Sequence, residues 1–186
     1  LDAIVQDLMQ LSRFDSPEPE RSMTEVELGG LLTLVHQAKS EDMLDAGVQI
    51  NLQLSEEELW VVGETEALMQ LVTNLVDNAI RYSDTESDKA RIVKIHLSKI
   101  GEIARIEVED NGIGIAQSET SRIFERFYTI DRARSRALGG TGLGLSIVKH
   151  IAEAHRGSVS VESQLGKGSI FRVQLPLVRF SQRSFV

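Results

Sequence analysis

Two asparagines stand four residues apart in the apolar stretch LVTNLVDNAIRYS, residues 71–83. Residues at this spacing share one face of a helix, so Asn74, Asn78 and either Arg81 or Tyr82 would form a polar row, here called the amide ridge. Asparagine forms helices less readily than alanine or glutamate, which indicates a role beyond helix formation. Its neutral side-chain oxygen is a ligand that Mg²⁺ accepts, and it adds no negative charge facing phosphates. The alternative is an exposed face of an amphipathic helix.

A second candidate segment is VEDNGIGI, residues 108–115, which follows the strand pattern IARIEVE. Asp110 could accept a hydrogen bond from an exocyclic amine such as that of adenine. Gly112 and Gly114 would let the backbone approach a flat ring closely. Asn-Gly after a strand is also an ordinary turn signal, so this segment alone leaves both interpretations open.

A third candidate is GGTGLGLSIVKHI, residues 139–151, a glycine-rich turn that leads into a helical pattern. Free backbone amides and the positive end of the helix dipole make such a junction suitable for anions. The spacing differs from both G-x-G-x-x-G and the loop that ends in Gly-Lys-Ser/Thr. A plain loop before a helix is the alternative here.

Arginines are concentrated around the segment between the two glycine motifs, at Arg122, Arg126, Arg132, Arg134 and Arg136. A solvated loop would explain them equally well. The chain as a whole has 20 basic and 28 acidic residues and a net charge of -8, which argues against binding along a nucleic-acid backbone. An anionic ligand would therefore be bound locally.

The bulk composition bounds the class of protein. The 186 residues, 41% of them hydrophobic, fit one globular domain of about 150 residues with a modest appendage. Cysteine is absent, which excludes disulfides and thiolate metal sites and favours a reducing compartment. No apolar run approaches the roughly 20 residues that span a bilayer, and the start shows no secretory signal. We expect a soluble chain that does not itself span a membrane.

The periodicity of apolar residues suggests four parts. Residues 1–16 carry an apolar stripe at helical spacing, which is typical of a helix that pairs with another. A linker with two prolines follows at about residues 17–21. The globular domain is expected over residues 22–176, and the tail at residues 177–186 is uninformative. Because the chain begins inside a helical pattern, we expect a fragment of a longer protein.

Within the domain, strands and helices follow one another without strict alternation, which favours a two-layer α/β sandwich with a mixed sheet. Strands are predicted in SMTEVEL, VQINLQL, LWVVG, RIVKIHLS, IARIEVE, SVSVES and SIFRVQLP, the fourth and fifth forming a hairpin. Helices are predicted in LLTLVHQAKSEDMLDA, over residues 64–82, as a short piece in SRIFERF, and in LSIVKHIAEAHR before Gly157.

Taken in order, these motifs strongly resemble the catalytic and ATP-binding domain of two-component sensor histidine kinases, over about residues 22–175. NLVDNAIRYS is similar to that family's N box, DNGIGI to its first glycine box, IFERFY to its F box, and GGTGLGLSIVKHIAEAHRG to its second glycine box. The resemblance implies a Bergerat-type ATP-binding fold, in which helices cover one face of a mixed five-stranded sheet. It also implies that residues 1–16 belong to the second helix of the dimerisation and phosphoacceptor domain.

The resemblance assigns roles to the amide ridge. It implies that Asn78 coordinates the Mg²⁺ of bound Mg²⁺·ATP, with Asn74 beside it. Arg81 stands where lysine is usual and would contact phosphate. Tyr82 would pack on the adenine, and Asp110 would bind its amino group.

It assigns further residues to the nucleotide and to a lid. Ser169 stands where threonine is common near the adenine, and Phe124 and Phe127 would anchor the hinge of a lid at about residues 128–138. Many relatives have arginine where this chain has Thr129, so charge stabilisation would fall to one of the lid residues Arg132, Arg134 and Arg136. Residues of the glycine motifs that would bind the nucleotide are Gly112, Gly114, Gly140, Thr141, Gly142, Leu143 and Gly144.

One position separates kinases from hydrolases of the same fold. Gyrase-type and mismatch-repair ATPases carry a glutamate one turn before the Mg²⁺ asparagine, and here that position is Asn74. An amide cannot take a proton near neutral pH, so general-base help of about 10² to 10⁴-fold is missing there. This favours phosphoryl transfer from a long-lived ATP to an outside nucleophile. Two alternatives stay open: an ATPase whose base is Glu64 or Glu66, and a degenerate interaction module that binds no nucleotide.

The nucleophile itself is expected on another domain. A phosphoacceptor histidine should be followed by an acid and then a proline, and none of His36, His96, His150 and His155 is. We expect each to be structural or exposed, and we do not expect the chain to phosphorylate itself. The resemblance implies as partners a phosphoacceptor domain of the same or the paired subunit and a response regulator, with no nucleic acid. It also implies a homodimeric parent and a cytoplasmic location, leaving open an anchor in the inner membrane.

Overall fold

The computed structural model describes residues 23–43, 47–83, 90–131 and 140–178. The predicted helix and linker before residue 22, and the tail from residue 179, lie outside these residues. Within the described part of the chain, no helix is long and apolar enough to cross a bilayer.

The described elements, in chain order, are β1 (Thr24–Glu27), α1 (Leu28–Met43), β2 (Val48–Gln53), β3 (Trp60–Gly63), α2 (Thr65–Arg81), β4 (Arg91–Ile100), β5 (Ile103–Asp110), α3 (Gly144–Ala154), β6 (Ser158–Gln164) and β7 (Gly168–Pro176). Five strands form the main sheet in the order β2-β4-β5-β7-β6. Its β2-β4 pair is parallel and the other neighbours are antiparallel. The predicted mixed five-stranded sheet is therefore confirmed.

The two faces of the sheet differ because side chains alternate along each strand. In the central strand β5, Ala104, Ile106 and Val108 are almost fully buried. Their neighbours Arg105 and Glu107 occupy the opposite face, with only part of their surface covered. The helices pack on the apolar face, which gives the two predicted layers.

Ion pairs stabilise the open face of the sheet. Lys94 on β4 donates to Glu109 on β5 at 2.9 Å. Arg172 on β7 donates to Glu107 on β5 at 2.6 Å. These cross-strand pairs keep that face polar, so the core forms on the helix side only.

The strands β1 and β3 pair with each other, apart from the main sheet. At the last residue of β1, the carboxylate of Glu27 accepts hydrogen bonds from the backbone N–H groups of Gly29 at 2.7 Å and Gly30 at 2.5 Å. These bonds satisfy amides that have no partner inside a helix. As a result α1 begins at Leu28, three residues before the predicted start at Leu31.

The prediction of a short helix in SRIFERF, residues 121–127, is wrong. The structure has a series of turns from residue 117 to residue 127. A helical bond from the Ile123 N–H to the Glu119 carbonyl does form, but the hydroxyl of Thr120 bonds the Gln117 carbonyl. Phe127 then takes a φ of 62°, which no right-handed helix accommodates. Local side-chain bonds and this reversal outweigh the helical pattern.

A buried histidine, His155, joins the end of α3 to the start of α2. The Nε2 atom of His155 accepts from the backbone N–H of Glu64 at 3.0 Å, and its Nδ1 donates to the Ile151 carbonyl at 2.7 Å. His155 is 5% exposed and directly follows α3, whereas Glu64 directly precedes α2. It is therefore structural, as predicted.

Replacing His155 by leucine is expected to lower the free energy of unfolding by about 1 to 3 kcal/mol, because the part-buried N–H of Glu64 loses its acceptor. Urea denaturation measures the change. The matched control is His96→Leu on the open face, where a loss below about 0.5 kcal/mol is expected for a surface position. Equal losses in the two variants would contradict this role for His155.

Candidate functional site

A cleft of about 420 Å³ opens at one end of the helix layer. It is bounded by α2, the ends of β5 and β7, and the segments at residues 113–116, 128–131 and 140–145. Most of the residues predicted for the site line this cleft: Asn74, Asn78, Arg81, Tyr82, Asp110, Gly114, Gly140, Thr141, Gly142, Gly144 and Ser169.

The amide ridge faces the cleft. The opposite side of α2 is held by Leu71, Leu75 and other apolar side chains that are fully buried in the core. Asn74 and Asn78 are half-buried at the cleft wall, and the Asn74 amide donates to the carbonyl of Gly144 at 3.4 Å. This contact brings the ridge against the glycine that begins α3, so the ridge forms a half-buried wall of the cleft.

Asp110 provides a carboxylate at the end of β5, only 7% exposed. Its Oδ1 accepts from the backbone N–H of Gly112 at 2.9 Å, and its pairing partner across the sheet is Ser169. Burial raises the pKa of Asp110 to about 6, although hydrogen bonds from Gly112 and Ser169 act in the opposite direction. The group is thus a hydrogen-bond acceptor near neutral pH that gains a proton in mildly acidic solution.

The first glycine motif is held against the end of α2. The backbone N–H of Ile113 donates to the Tyr82 carbonyl at 3.1 Å. A Cβ atom on Gly112 would lie 2.3 Å from the same carbonyl oxygen, so only glycine fits there. This approach joins the amide ridge to the segment that carries Asp110.

Four predicted binding residues support the cleft without lining it. Gly112 fits under the Tyr82 carbonyl, and Leu143 is fully buried in the core. Phe124 packs edge-on against Phe171 with ring centroids 6.4 Å apart. Phe127 has a side chain 55% exposed and contacts the glycine turn through its backbone N–H, which donates to the Gly142 carbonyl at 2.9 Å. None of these four residues lines the cleft, and their part in nucleotide binding stays a prediction.

The predicted lid is described only at its edges. Arg132, Arg134 and Arg136 lie outside the described residues. At the first edge, the Tyr128 hydroxyl donates to Glu119, and the Arg122 guanidinium lies 4.3 Å from the centre of the Tyr128 ring. These contacts fix one wall of the cleft where the lid segment begins.

Sequence reasoning missed two carboxylates, Asp77 and Asp131, and several apolar walls. Asp77 lines the cleft beside Asn78, and its Oδ1 lies 2.6 Å from the Lys39 ammonium on α1. The three-residue spacing from Asn74 could have revealed it, since such residues share a helix face. The walls formed by Ile113, Ile115, Ile123, Leu165 and Phe171 carry no motif that distinguishes them from ordinary core residues.

The other titratable candidates lie away from the cleft. Glu64 and Glu66, the alternative general bases, do not line it, and the Glu64 backbone is engaged by His155. None of the four histidines lines it, although all four are described. His36, for example, bonds the Ile50 carbonyl at 3.0 Å.

The donor set of the cleft suits a magnesium ion that is shared with phosphates. Among the described residues, no group of three histidine or acidic side chains could hold a metal on its own. Asn74, Asp77 and Asn78, each of which carries a side-chain oxygen, nevertheless line the cleft together. Mg²⁺ prefers oxygen ligands and keeps several waters or phosphate oxygens, so one or two such ligands are enough.

Comparisons with known proteins agree with this geometry. Residues 63–179 match the family described as histidine kinase-, DNA gyrase B-, and HSP90-like ATPase. The chain is 40% identical over 177 residues to the sensor histidine kinase RppB of Synechocystis sp., which covers 95% of this chain and 38% of RppB. The crystal structure of full-length ShkA in complex with AMPPNP has a TM-score of 0.81 and 29% identity, covering 95% of this chain and 35% of ShkA.

The chain also matches nearly the whole length of one domain-sized structure. The catalytic domain of the histidine kinase ThkA has a TM-score of 0.71 and 27% identity, covering 83% of this chain and 95% of that domain. By contrast, the chain spans well under half the length of the curated relatives it matches. The chain therefore belongs to the family of histidine kinase-, DNA gyrase B- and HSP90-like ATPases, and its curated relatives are sensor histidine kinases.

Proposed function

We propose that this chain is a kinase domain that binds Mg²⁺·ATP in the cleft and transfers the γ-phosphoryl group to a histidine on a separate phosphoacceptor domain. One observation carries the proposal: the amide ridge, Asp110 and the glycine turn before α3 meet around a single cleft. In addition, ShkA, a structural neighbour, was solved with the ATP analogue AMPPNP.

The adenine end is assigned to Asp110. Its carboxylate accepts a hydrogen bond from the exocyclic amine, while Ser169 and Gly112 hold it in place. Tyr82 and the apolar wall residue Ile113 line the same cleft and would pack on the ring. Burial of the ring among apolar walls supplies affinity, and the single carboxylate supplies the choice of base.

The phosphate end is assigned to the turn that leads into α3. Leu143, the residue before this helix, gives no side-chain cap to the first backbone N–H groups of α3, so they can serve a bound anion. Gly140, Gly142 and Gly144 line the cleft next to Asn74. Asn78 and Asn74 would hold the magnesium ion, which neutralises phosphate charge when bound, and Arg81 would contact phosphate. The transferring phosphoryl group would be contacted by one of Arg132, Arg134 and Arg136, and this contact stays a prediction.

The absence of a glutamate at Asn74 supports transfer over hydrolysis. An amide takes no proton from water near neutral pH, so a bound ATP is kept until a nucleophile arrives. The phosphoacceptor domain of the same or the paired subunit would supply that nucleophile, and a response regulator would then receive the phosphoryl group. These partners, a homodimeric parent and a cytoplasmic location are inferred from the sensor histidine kinases among the relatives.

Phosphoryl transfer is tested by mixing the chain with a separate phosphoacceptor domain from a sensor histidine kinase and labelled ATP. Label is expected on the histidine with the parent chain. It is expected to fall with Asn78→Asp, because the new charge repels the triphosphate and about 1.4 kcal/mol already weakens binding by tenfold. Asn51→Asp, an identical change on the exposed face of β2, is the control and should leave transfer unchanged. Binding of ATP without any labelled histidine would argue against a kinase.

Hydrolysis is tested at Asp77, a carboxylate on α2 that lines the cleft. We expect ATP turnover by the chain alone to be slow, and Asp77→Asn to change it by less than about threefold, since no general base of the usual 10² to 10⁴-fold worth is removed. Phosphate release over time measures this. Steady turnover that disappears in Asp77→Asn would favour an ATPase.

Binding should depend on pH through Asp110. Its pKa of about 6 lies above the ordinary value of 3.8, so acidic solution protonates it and removes an acceptor for the adenine amine. ATP affinity is therefore expected to fall by up to about tenfold per pH unit below 6. The raised pKa of Asp110 has the opposite effect on the protein without nucleotide. Its free energy of unfolding should rise as the pH falls from about 6 towards 3.8, because the folded state binds the proton more tightly than the unfolded state.

Titration of the ATP phosphates is separated from that of Asp110 by a comparison. Affinities for ATP and for purine riboside triphosphate, which lacks the amino group, are measured between pH 5 and pH 8. The ratio of the two is expected to decline below about pH 6 in the parent chain. In Asp110→Asn this affinity ratio should be small and should not change between pH 5 and pH 8. A ratio that is independent of pH in the parent would contradict the assignment of Asp110 to the amine.

A further inference from the structure

The turn between β6 and β7 is bonded directly to the first glycine motif. The backbone N–H of Gly166 in this turn donates to the Ile113 carbonyl at 2.7 Å. Gly114 has a φ of 67°, and a Cβ atom there would lie 2.1 Å from the Gln164 carbonyl oxygen. The segment that forms one wall of the cleft is therefore positioned by an outer hairpin of the sheet, far along the chain.

Ser163, the residue before Gln164, is the side chain at the centre of this contact. Its Oγ accepts from the backbone N–H of Ile115 at 2.8 Å. The same atom lies 2.9 Å from the Gly168 carbonyl and 3.0 Å from the Oγ of Ser169. A hydroxyl has one hydrogen, so Ser163 donates either to the Gly168 carbonyl or to the Ser169 hydroxyl. When it donates to Ser169, the hydrogen of Ser169 is available for the Asp110 carboxylate.

Two of these neighbours, Ile115 and Ser169, line the same cleft as Asp110. Ile115 lines the cleft on the glycine segment, and Ser169 pairs with Asp110 across the sheet and bonds its carboxylate. Ser163 does not line the cleft itself. It connects the wall beside the ring to the residue that orients the carboxylate, through one half-buried oxygen atom.

We propose that Ser163 is a positioning residue for base recognition, which holds Ile115 and Ser169 in the arrangement that lets Asp110 distinguish an amino-bearing purine. The inference rests on the proposed function, because it assumes that the cleft binds ATP. Without the hydroxyl, the Ile115 N–H loses its acceptor and Ser169 loses a neighbour. The carboxylate and the ring wall are then no longer fixed relative to each other.

A purely structural serine would behave differently. In that case, removing the hydroxyl of Ser163 would lower the stability of the chain without nucleotide and would weaken the binding of all nucleotides by the same factor. A positioning residue instead changes the preference for a base that carries an amine. The discriminating measurement is therefore the ratio of affinities for ATP and for purine riboside triphosphate, both with Mg²⁺.

Three variants of the same chain are compared with the parent. Ser163→Ala removes the hydroxyl and Ser163→Thr keeps it. Ser160→Ala makes the same deletion at an exposed position of the same strand. Thermal melting without nucleotide reports whether each variant is folded.

Ser163→Ala is expected to weaken the binding of ATP by about tenfold and the binding of the analogue by less than about threefold. The tenfold loss is roughly the worth of the one hydrogen bond between the Asp110 carboxylate and the adenine amine, which the analogue does not form. The affinity ratio should stay near the parent value in Ser163→Thr and in Ser160→Ala. An unchanged ratio in a folded Ser163→Ala, with or without a lower melting temperature, would overturn the inference alone. A parent chain that binds no nucleotide would overturn the proposed function, and this inference with it.

Discussion

The helix α2 has to meet two opposite demands, and the rest of the site depends on this. One side carries leucine, valine and alanine residues that the core covers completely. The other side carries Asn74, Asp77 and Asn78, which need polar surroundings because an unpaired buried amide is costly. Both demands are met only if the sheet lies on one side of the helix and an open cleft on the other. The cleft is thus a direct result of how this helix is packed.

The buried carboxylate at the end of β5 is the second costly feature. Asp110 continues the alternation that buries Ala104, Ile106 and Val108, so it points to the core side of the sheet. It is kept there by hydrogen bonds from Gly112 and by its partner strand. A charge in this position is unfavourable for the empty fold and useful for a ligand that brings its own donor. Raised pKa values of carboxyl groups at ligand sites commonly have this origin.

Much of the fold was predictable because its signals are local and periodic. Alternation of two residues marked the strands, and the apolar positions of α2 marked the core side of the helix. The amide ridge and Asp110 were recognisable because their types conflict with their surroundings. Contacts between distant segments were not: the Lys39 pair of Asp77 and the bonds of the Ser163 oxygen depend on neighbours that only the folded chain supplies. The turns at residues 117–127 imitate a helical pattern.

The bond between the Phe127 N–H and the Gly142 carbonyl joins the two ends of the intervening stretch of chain. Once the ends of a loop are fixed by the domain itself, its length has little effect on the free energy of folding, and doubling it costs only about 0.6 kcal/mol. Changes in the length of this stretch therefore cost the core little. They act instead on the cleft, because Tyr128, Thr129, Gly140 and Thr141 at its two ends line that cleft.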